Sequence, residues 1–537
     1  MNENMKNMKN VGRLAVVLAV SAVGARTAEA GIDRSVMSDK YWAIWNDAEQ
    51  ARIDADIEKN RKADATFALA APAGAVVKVE QLTHDFRFGA HIFNFNQLGK
   101  TRYNDAYKAS YGKGGLFNQA TVSFYWIDHE PTPGAFRFDG NYREEERYWN
   151  GLTRDEAMAD RYWRRPAPGP VVDFLKTMDV AIHGHILIWG NAKPYWIYDW
   201  YCPESEKRVF DGIGIPRHST DCGWEPCGQN LGMGYMGRVA AVWRARYKGL
   251  DERALEHEAP VYAANLRRIF RKRVSDVAAR FGEVVDSWDV VNESSYDWAR
   301  YRKSRTGLGY WFSMYGLMPG DYPLHALLDA KEEMAPSAKL AINDYNISPD
   351  FLTQVRDLEQ EGARIDLVGC QMHIFNTNDC RRLANGATDV NWVGSPKVIR
   401  ERLDMMAKTG KPLHVSEVTI AAPGVDDVSR KIQAVLVRNI YRAWFSHPKT
   451  MGITWWNTVD GAGGAGDPSV SGLFTREMEK KPAYDALDEL INREWRTNLA
   501  VAADADGKVS FRGFRGRYRL SWTGADGKPA TKLVEVK

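Results

Sequence analysis

The chain carries almost no net charge. Its 72 Lys and Arg stand against 69 Asp and Glu, a formal balance of +3, with no block of like charge. That removes the electrostatic case for nucleic acid as a partner. Beyond the first 30 residues no apolar stretch is long enough to span a membrane. There is no internal repeat and no low-complexity linker. No Gly-rich phosphate loop follows the first predicted barrel strand, which argues against an open, doubly wound nucleotide-binding sheet. Cysteine is scarce, with five in 537 residues. Cys202, Cys222 and Cys227 share one Gly/Pro-rich insertion, where one bridge is expected if the protein is exported. A zinc site there with His218 fits no standard ligand spacing. Cys370 sits in an apolar strand and reads as core.

What the chain does have is ordinary globular composition, 44% hydrophobic and 26% charged, with an unusual 19 Trp beside 23 Tyr and 20 Phe. Flat aromatic faces stack on the C–H faces of sugar rings, and they also fill large cores. At the N-terminus, Lys6, Lys9 and Arg13 flank the apolar run from Leu14 to Ala25, and Ala28-Glu29-Ala30 supplies small residues at a cleavage position. This predicts a signal peptide over 1–30, a mature start at Gly31, and a secreted or periplasmic protein.

A charged helix is expected over 38–63. Short β-like runs follow, ATFALA and VVKVEQL, split by a turn at Pro72 to Gly74. Together they define an N-terminal segment over 31–84. From about residue 85 the pattern becomes apolar strands alternating with helices. Eight strands are predicted: Phe86 to Ile92, Ala120 to Trp126, Val180 to Trp189, Val284 to Val291, Lys339 to Tyr345, Leu367 to Ile374, Pro412 to Thr419 and Gly452 to Val459. Helices fit between them, as at Val261 to Phe281, Pro323 to Met334 and Pro396 to Lys408. Eight β-then-α units predict an α/β fold, a (β/α)8 TIM barrel over 85–492. After Asn492, the alternation of Tyr518, Leu520 and Trp522 predicts a small C-terminal β module over 493–537 that packs on the barrel.

Barrel enzymes collect their chemistry at the C-terminal ends of the strands. The third strand ends in HGHILIWGN, the fourth in WDVVNE, the fifth in KLAINDYN, the sixth in LVGCQMHI, the seventh in PLHVSEVT and the eighth in GITWWNTVD. Glu293 and Glu417 therefore end strands four and seven and meet on one rim. Two carboxyl groups about 5 Å apart across a glycosidic bond are the requirement for retaining glycoside hydrolysis. One of them must hold a proton while the other is ionised. Asn292, beside Glu293, is placed to donate to a sugar hydroxyl next to the reacting carbon.

These strand motifs, in this order, closely resemble those of glycoside hydrolase family 10, the endo-β-1,4-xylanase family. HGHILIWGNAKPYW, FNQATVSFYWIDHEPTPGAFRF and GLFTREMEKKPAY add to the resemblance, which spans roughly residues 85 to 490. It implies Glu293 as acid/base, Glu417 as nucleophile, and Asn292, Gln371 and His373 around the sugar at the reaction centre. It implies Trp196 and Trp456 as sugar platforms. His185 is open between a structural and a direct role. Asn343 and Asp344 read as structural supports. The chain departs from the family at several places. Val122 and Tyr125 replace an Asn and a Lys that hold glycone-side sugars, Gly190 replaces a His, and Thr419 replaces an Asp. DGAGGAGD lacks a Trp. The losses cluster on the glycone side. The aromatic insertion over 198–258, with Trp200, Tyr201 and Trp224, is placed to supply other contacts.

The resulting expectation is a retaining hydrolase of β-1,4-linked xylan or xylo-oligosaccharides, monomeric, with a polysaccharide or oligosaccharide as its partner and no cofactor or metal required by the mechanism. Two alternatives stand beside it. One is a same-fold hydrolase of another β-glycan or a decorated xylan. The other is a non-catalytic carbohydrate-binding protein.

Overall fold

The computed structural model describes residues 32–190, 194–198, 202–210, 254–304, 310–313, 316–464 and 466–537. The expected signal peptide lies outside them. So do Cys222, Cys227, His218 and most of the insertion, including Trp200, Tyr201 and Trp224.

Two strands, β1 (Lys62–Ala68) and β2 (Val76–Gln81), precede the barrel. The barrel begins with β3 (Arg87–His91), β4 (Gln119–Ser123), β5 (Ala181–Ile188) and β6 (Ser287–Asn292). A hairpin of β7 (Tyr310–Ser313) and β8 (Gly316–Pro319) intervenes. The barrel then continues with β9 (Lys339–Asp344), β10 (Leu367–Gln371), β11 (Leu413–Val418) and β12 (Thr450–Trp455). The eight strands pair in parallel, and β12 closes on β3. Each predicted barrel strand is present, with bounds shifted by a few residues. Strands β4, β10 and β11 are buried along their whole length. That is what strands covered by side chains within and helices without require, and it explains their continuous apolar sequences. The helices Pro260–Phe281, Tyr322–Glu333 and Pro396–Ala407 each carry a proline in the first turn, where its missing N–H leaves no bond unmade.

The charged stretch expected as one helix forms two, Asp39–Ile44 and Asp47–Arg61. The break falls at Asn46, whose side chain accepts from the N–H of Glu49 at 3.0 Å and starts the second helix.

The C-terminal stretch forms β13 (Asn498–Ala502), β14 (Lys508–Phe514), β15 (Gly516–Thr523) and β16 (Pro529–Val536). Strand β1 pairs with β14, and β2 lies between β13 and β15. The two ends of the chain, read separately in the sequence, thus build one β unit. Its strands alternate in burial and enclose a small core that includes Val77, Val79, Phe511, Tyr518 and Leu520. Phe514 and Trp495 join the barrel core instead, with Trp495 stacked on Phe445 at 4.0 Å and on Phe88 at 5.7 Å. Phe88 lies at the start of β3, so this unit seats under the barrel, away from the strand ends described next.

Candidate active site

A cavity of about 420 Å³ opens at the C-terminal ends of the barrel strands. Glu293, Asn292, Gln371, His373, Glu417, His185 and Trp456 all line it. Seven of the eight residues singled out from the sequence are therefore brought together. Trp196 is the exception and a correction. It is buried in the barrel core with its ring edge-on to Trp126 at 6.0 Å, and its indole N–H donates to the backbone oxygen of Glu130 at 2.9 Å. The short helix Tyr195–Tyr198 that carries it turns it into the core.

Asn292 and Glu293 are adjacent in sequence yet face the same cavity, whereas successive residues of a strand point to opposite sides. The alternation breaks because Glu293 adopts a left-handed backbone, with φ of 54°. A non-glycine residue there costs on the order of 1–3 kcal/mol and needs surroundings that enforce it. Its N–H donates to the Asn343 backbone oxygen at 2.8 Å, which supplies one such restraint.

The carboxylate of Glu417 is held from two sides. Asn343 Nδ2 donates to Oε1 at 2.7 Å, and His373 Nε2 lies 3.2 Å from Oε2. Asn343 also donates to Asn292 Oδ1 at 2.8 Å and accepts from Ser416 Oγ at 2.5 Å. Gln371 pairs in register with Glu417 across β10 and β11, and its amide donates to both Asn292 Oδ1 and Glu293 Oε1 at 3.2 Å. The oxygen of Asn292 is thus engaged by two donors, which leaves its NH₂ group for the cavity. Asn343, expected as a support, touches Glu417 itself.

Beneath the site runs a buried polar layer. Asp289 Oδ2 lies 2.9 Å from His183 Nε2 and 2.8 Å from His185 Nδ1, and His185 Nε2 lies 4.0 Å from Glu417 Oε1. Burial alone pushes the Asp289 carboxyl upward, but the two histidines outweigh it and hold the group well below the usual carboxylate range. Deeper still, burial drives His414 down to about 3, so it is neutral at ordinary pH.

Tyr125, which stands at the position of a glycone-side Lys, lines the cavity, and Trp189, Tyr345, Phe375, Asn391 and Trp392, which sequence reasoning did not assign, complete it. Trp392 donates from its indole to the Tyr345 backbone oxygen at 3.1 Å and sits under the Arg402 guanidinium at 4.5 Å. Phe375 stacks on His373 at 4.2 Å. Asn391 and Trp392 lie in the loop between β10 and β11, where no periodicity marks them. On the other wall, Tyr125 packs among Phe93, His185 and Trp189, with the Arg165 guanidinium 3.9 Å from its ring centre. Among the described lining residues, Glu293 and Glu417 are the only acidic ones, and there is no Lys or Arg. The chemistry on offer is acid/base and nucleophilic catalysis by two carboxyl groups, on a neutral ligand held by aromatic faces and amides.

Known proteins bear on this arrangement. The profile of Glycosyl hydrolase family 10 matches residues 242–490, from before β6 to beyond β12. Endo-1,4-beta-xylanase B of Thermotoga neapolitana is 28% identical over 347 residues, which cover 62% of this chain and 76% of that protein. Anti-sigma-I factor RsgI6 of Acetivibrio thermocellus is 27% identical over 263 residues, 48% of this chain and only 29% of that protein. The crystal structure of native xylanase 10B from Thermotoga maritima superposes with a TM-score of 0.47 at 19% identity, covering 76% of this chain and 96% of that one.

Proposed function

Residues 242–490 belong to glycoside hydrolase family 10, and from that premise we propose that this chain is a retaining β-glycosidase acting on β-1,4-linked xylan or xylo-oligosaccharides. The observation that carries the reading is the pair of glutamates on one cavity, joined through Gln371, Asn292 and Asn343. Glu417 receives the Asn343 amide at one oxygen and faces His373 Nε2 at the other. Glu293 turns out of the strand on a left-handed residue and accepts from the Gln371 amide at 3.2 Å. In this reading Glu293 protonates the leaving oxygen, Glu417 attacks the anomeric carbon, and Glu293 then activates water on the glycosyl-enzyme. Asn292 donates to the hydroxyl beside the reacting carbon.

The experiment is a panel of β-linked polysaccharides and aryl β-glycosides, with the anomeric form of the first product followed by NMR. Release of β-configured xylose or xylo-oligosaccharides is expected. An α-configured first product would mean inversion and would remove the double displacement.

A second reading, hydrolysis of another β-glycan or a decorated xylan, draws on the wall at Tyr125. There an aromatic ring backed by Arg165 stands where the resemblance leads one to expect a lysine. Either reading is compatible with a secreted or periplasmic location. N-terminal sequencing of exported protein tests that, with a start at Gly31 expected.

A further inference from the structure

Two histidines flank Glu417, and their outer nitrogens meet opposite partners. His185 presents Nδ1 to the Asp289 carboxylate at 2.8 Å, an acceptor only, so that nitrogen carries a proton. His373 presents Nδ1 to the Thr419 hydroxyl at 2.9 Å, a group able to donate. Its Nε2 faces Glu417 Oε2 at 3.2 Å. If Glu417 is ionised, only a proton on His373 Nε2 makes that contact a hydrogen bond. Nδ1 is then free to accept from Thr419.

The surroundings fix the ring. Phe375 stacks on it at 4.2 Å, and Trp456 meets it edge-on at 6.0 Å. The N–H of Ile374 donates to the Thr419 backbone oxygen at 2.7 Å, and that of Met372 to the Glu417 backbone oxygen at 2.9 Å. Thr419 and His373 therefore end adjacent strands that are laced together, and Thr419 is wholly buried. Its hydroxyl has a defined neighbour and no access to solvent.

We infer that Thr419 is a positioning residue, holding His373 as the neutral imidazole with its proton on Nε2, aimed at Glu417. The chain Thr419 to His373 to Glu417 then runs donor to acceptor throughout. This rests on the reading of Glu417 as the ionised nucleophile.

The test is carried out on the whole protein with ¹⁵N-labelled histidine. Among 11 histidines, the His373 resonances are identified by their loss in His373→Gln. At pH 7 the pattern of a neutral ring protonated at Nε2 is expected. Thr419→Val should blur that pattern and lower kcat on aryl β-xylosides about 10- to 100-fold with KM changed less than about threefold, the scale of one lost buried hydrogen bond. Thr419→Ser, which keeps the hydroxyl, should restore both. A wild-type ring protonated at Nδ1, or at both nitrogens, overturns the inference, as does a Thr419→Val kcat within about twofold of wild type. If Thr419→Val does not fold, the wild-type spectrum still decides. A wild-type protein that cleaves no β-glycoside fails the functional reading instead, and the spectrum still reports the tautomer.

Discussion

The amide nitrogen of Asn343 reaches Glu417 Oε1 at 2.7 Å because residue 369, on the adjacent strand, has no side chain. A Cβ at Gly369 would overlap the Asn343 side-chain oxygen, the atom that accepts from Ser416. Strands β9 and β10 pair Gly369 with Asn343 directly. The glycine thus makes room for the group that orients the proposed nucleophile.

Gly369→Ala should displace that amide. Overpacking a dense interior costs about 1–3 kcal/mol of stability, so the protein should still fold. Its kcat on aryl β-xylosides should fall by about tenfold or more. Chemical denaturation and steady-state kinetics on the same preparation check this, and an unchanged kcat would show that Asn343 is not needed where it stands.

The division of work between the carboxylates has a separate test. Glu417→Ala removes the covalent route for every substrate, so even activated aryl glycosides should not turn over. Glu293→Ala should retain the first step on activated leaving groups, since protonation contributes about 10²–10⁴-fold and matters most for poor ones. Azide should rescue Glu293→Ala with a β-configured product and Glu417→Ala with an α-configured one. The reverse pattern would exchange the roles.

Glycone recognition should be weak beyond one sugar. The wall of Phe93, Tyr125, Ile186 and Trp456 is an apolar cluster, with Trp189 packed against it. Extending an aryl β-xyloside to the xylobioside should therefore raise kcat/KM by less than about tenfold, or ~1.4 kcal/mol. Tyr125→Lys should enlarge that ratio. A wild-type ratio of a hundredfold would mean that polar contacts are supplied there after all.

Acid should destabilise the fold through its buried histidines. Burial lowers His84 and His414 to about 3 from an ordinary value near 6.5. Between those limits the unfolded chain binds protons that the folded one does not. Stability therefore falls as pH drops from about 6.5 toward 3, at up to about 1.4 kcal/mol per pH unit for each histidine. His414→Gln should flatten that slope in urea titrations performed across this range. An unchanged slope would show that His414 is protonated in the folded state.

The order of elements was legible because each barrel strand is a continuous apolar run bounded by turns, a local pattern read without knowing any partner. The same holds for Glu293 and Glu417. Once eight strands are counted, their C-terminal ends must share a rim, so polar residues at those ends are candidates for one site. Trp196 was not legible. A tryptophan in the connection after a strand serves a cavity or a core equally well, and its direction is set by the short helix that carries it. Trp392 and Asn391 were hidden for a related reason. They sit in a loop without periodicity, and only the packing of that loop against Tyr345 brings them to the site. Asn343 shows the division most sharply. Its sequence position marks it as a strand-end amide, read as a structural support. That it holds Glu417 depends on register with Gly369, on the Ser416 hydroxyl and on barrel closure. These are contacts between residues far apart in the chain, and only tertiary structure determines them.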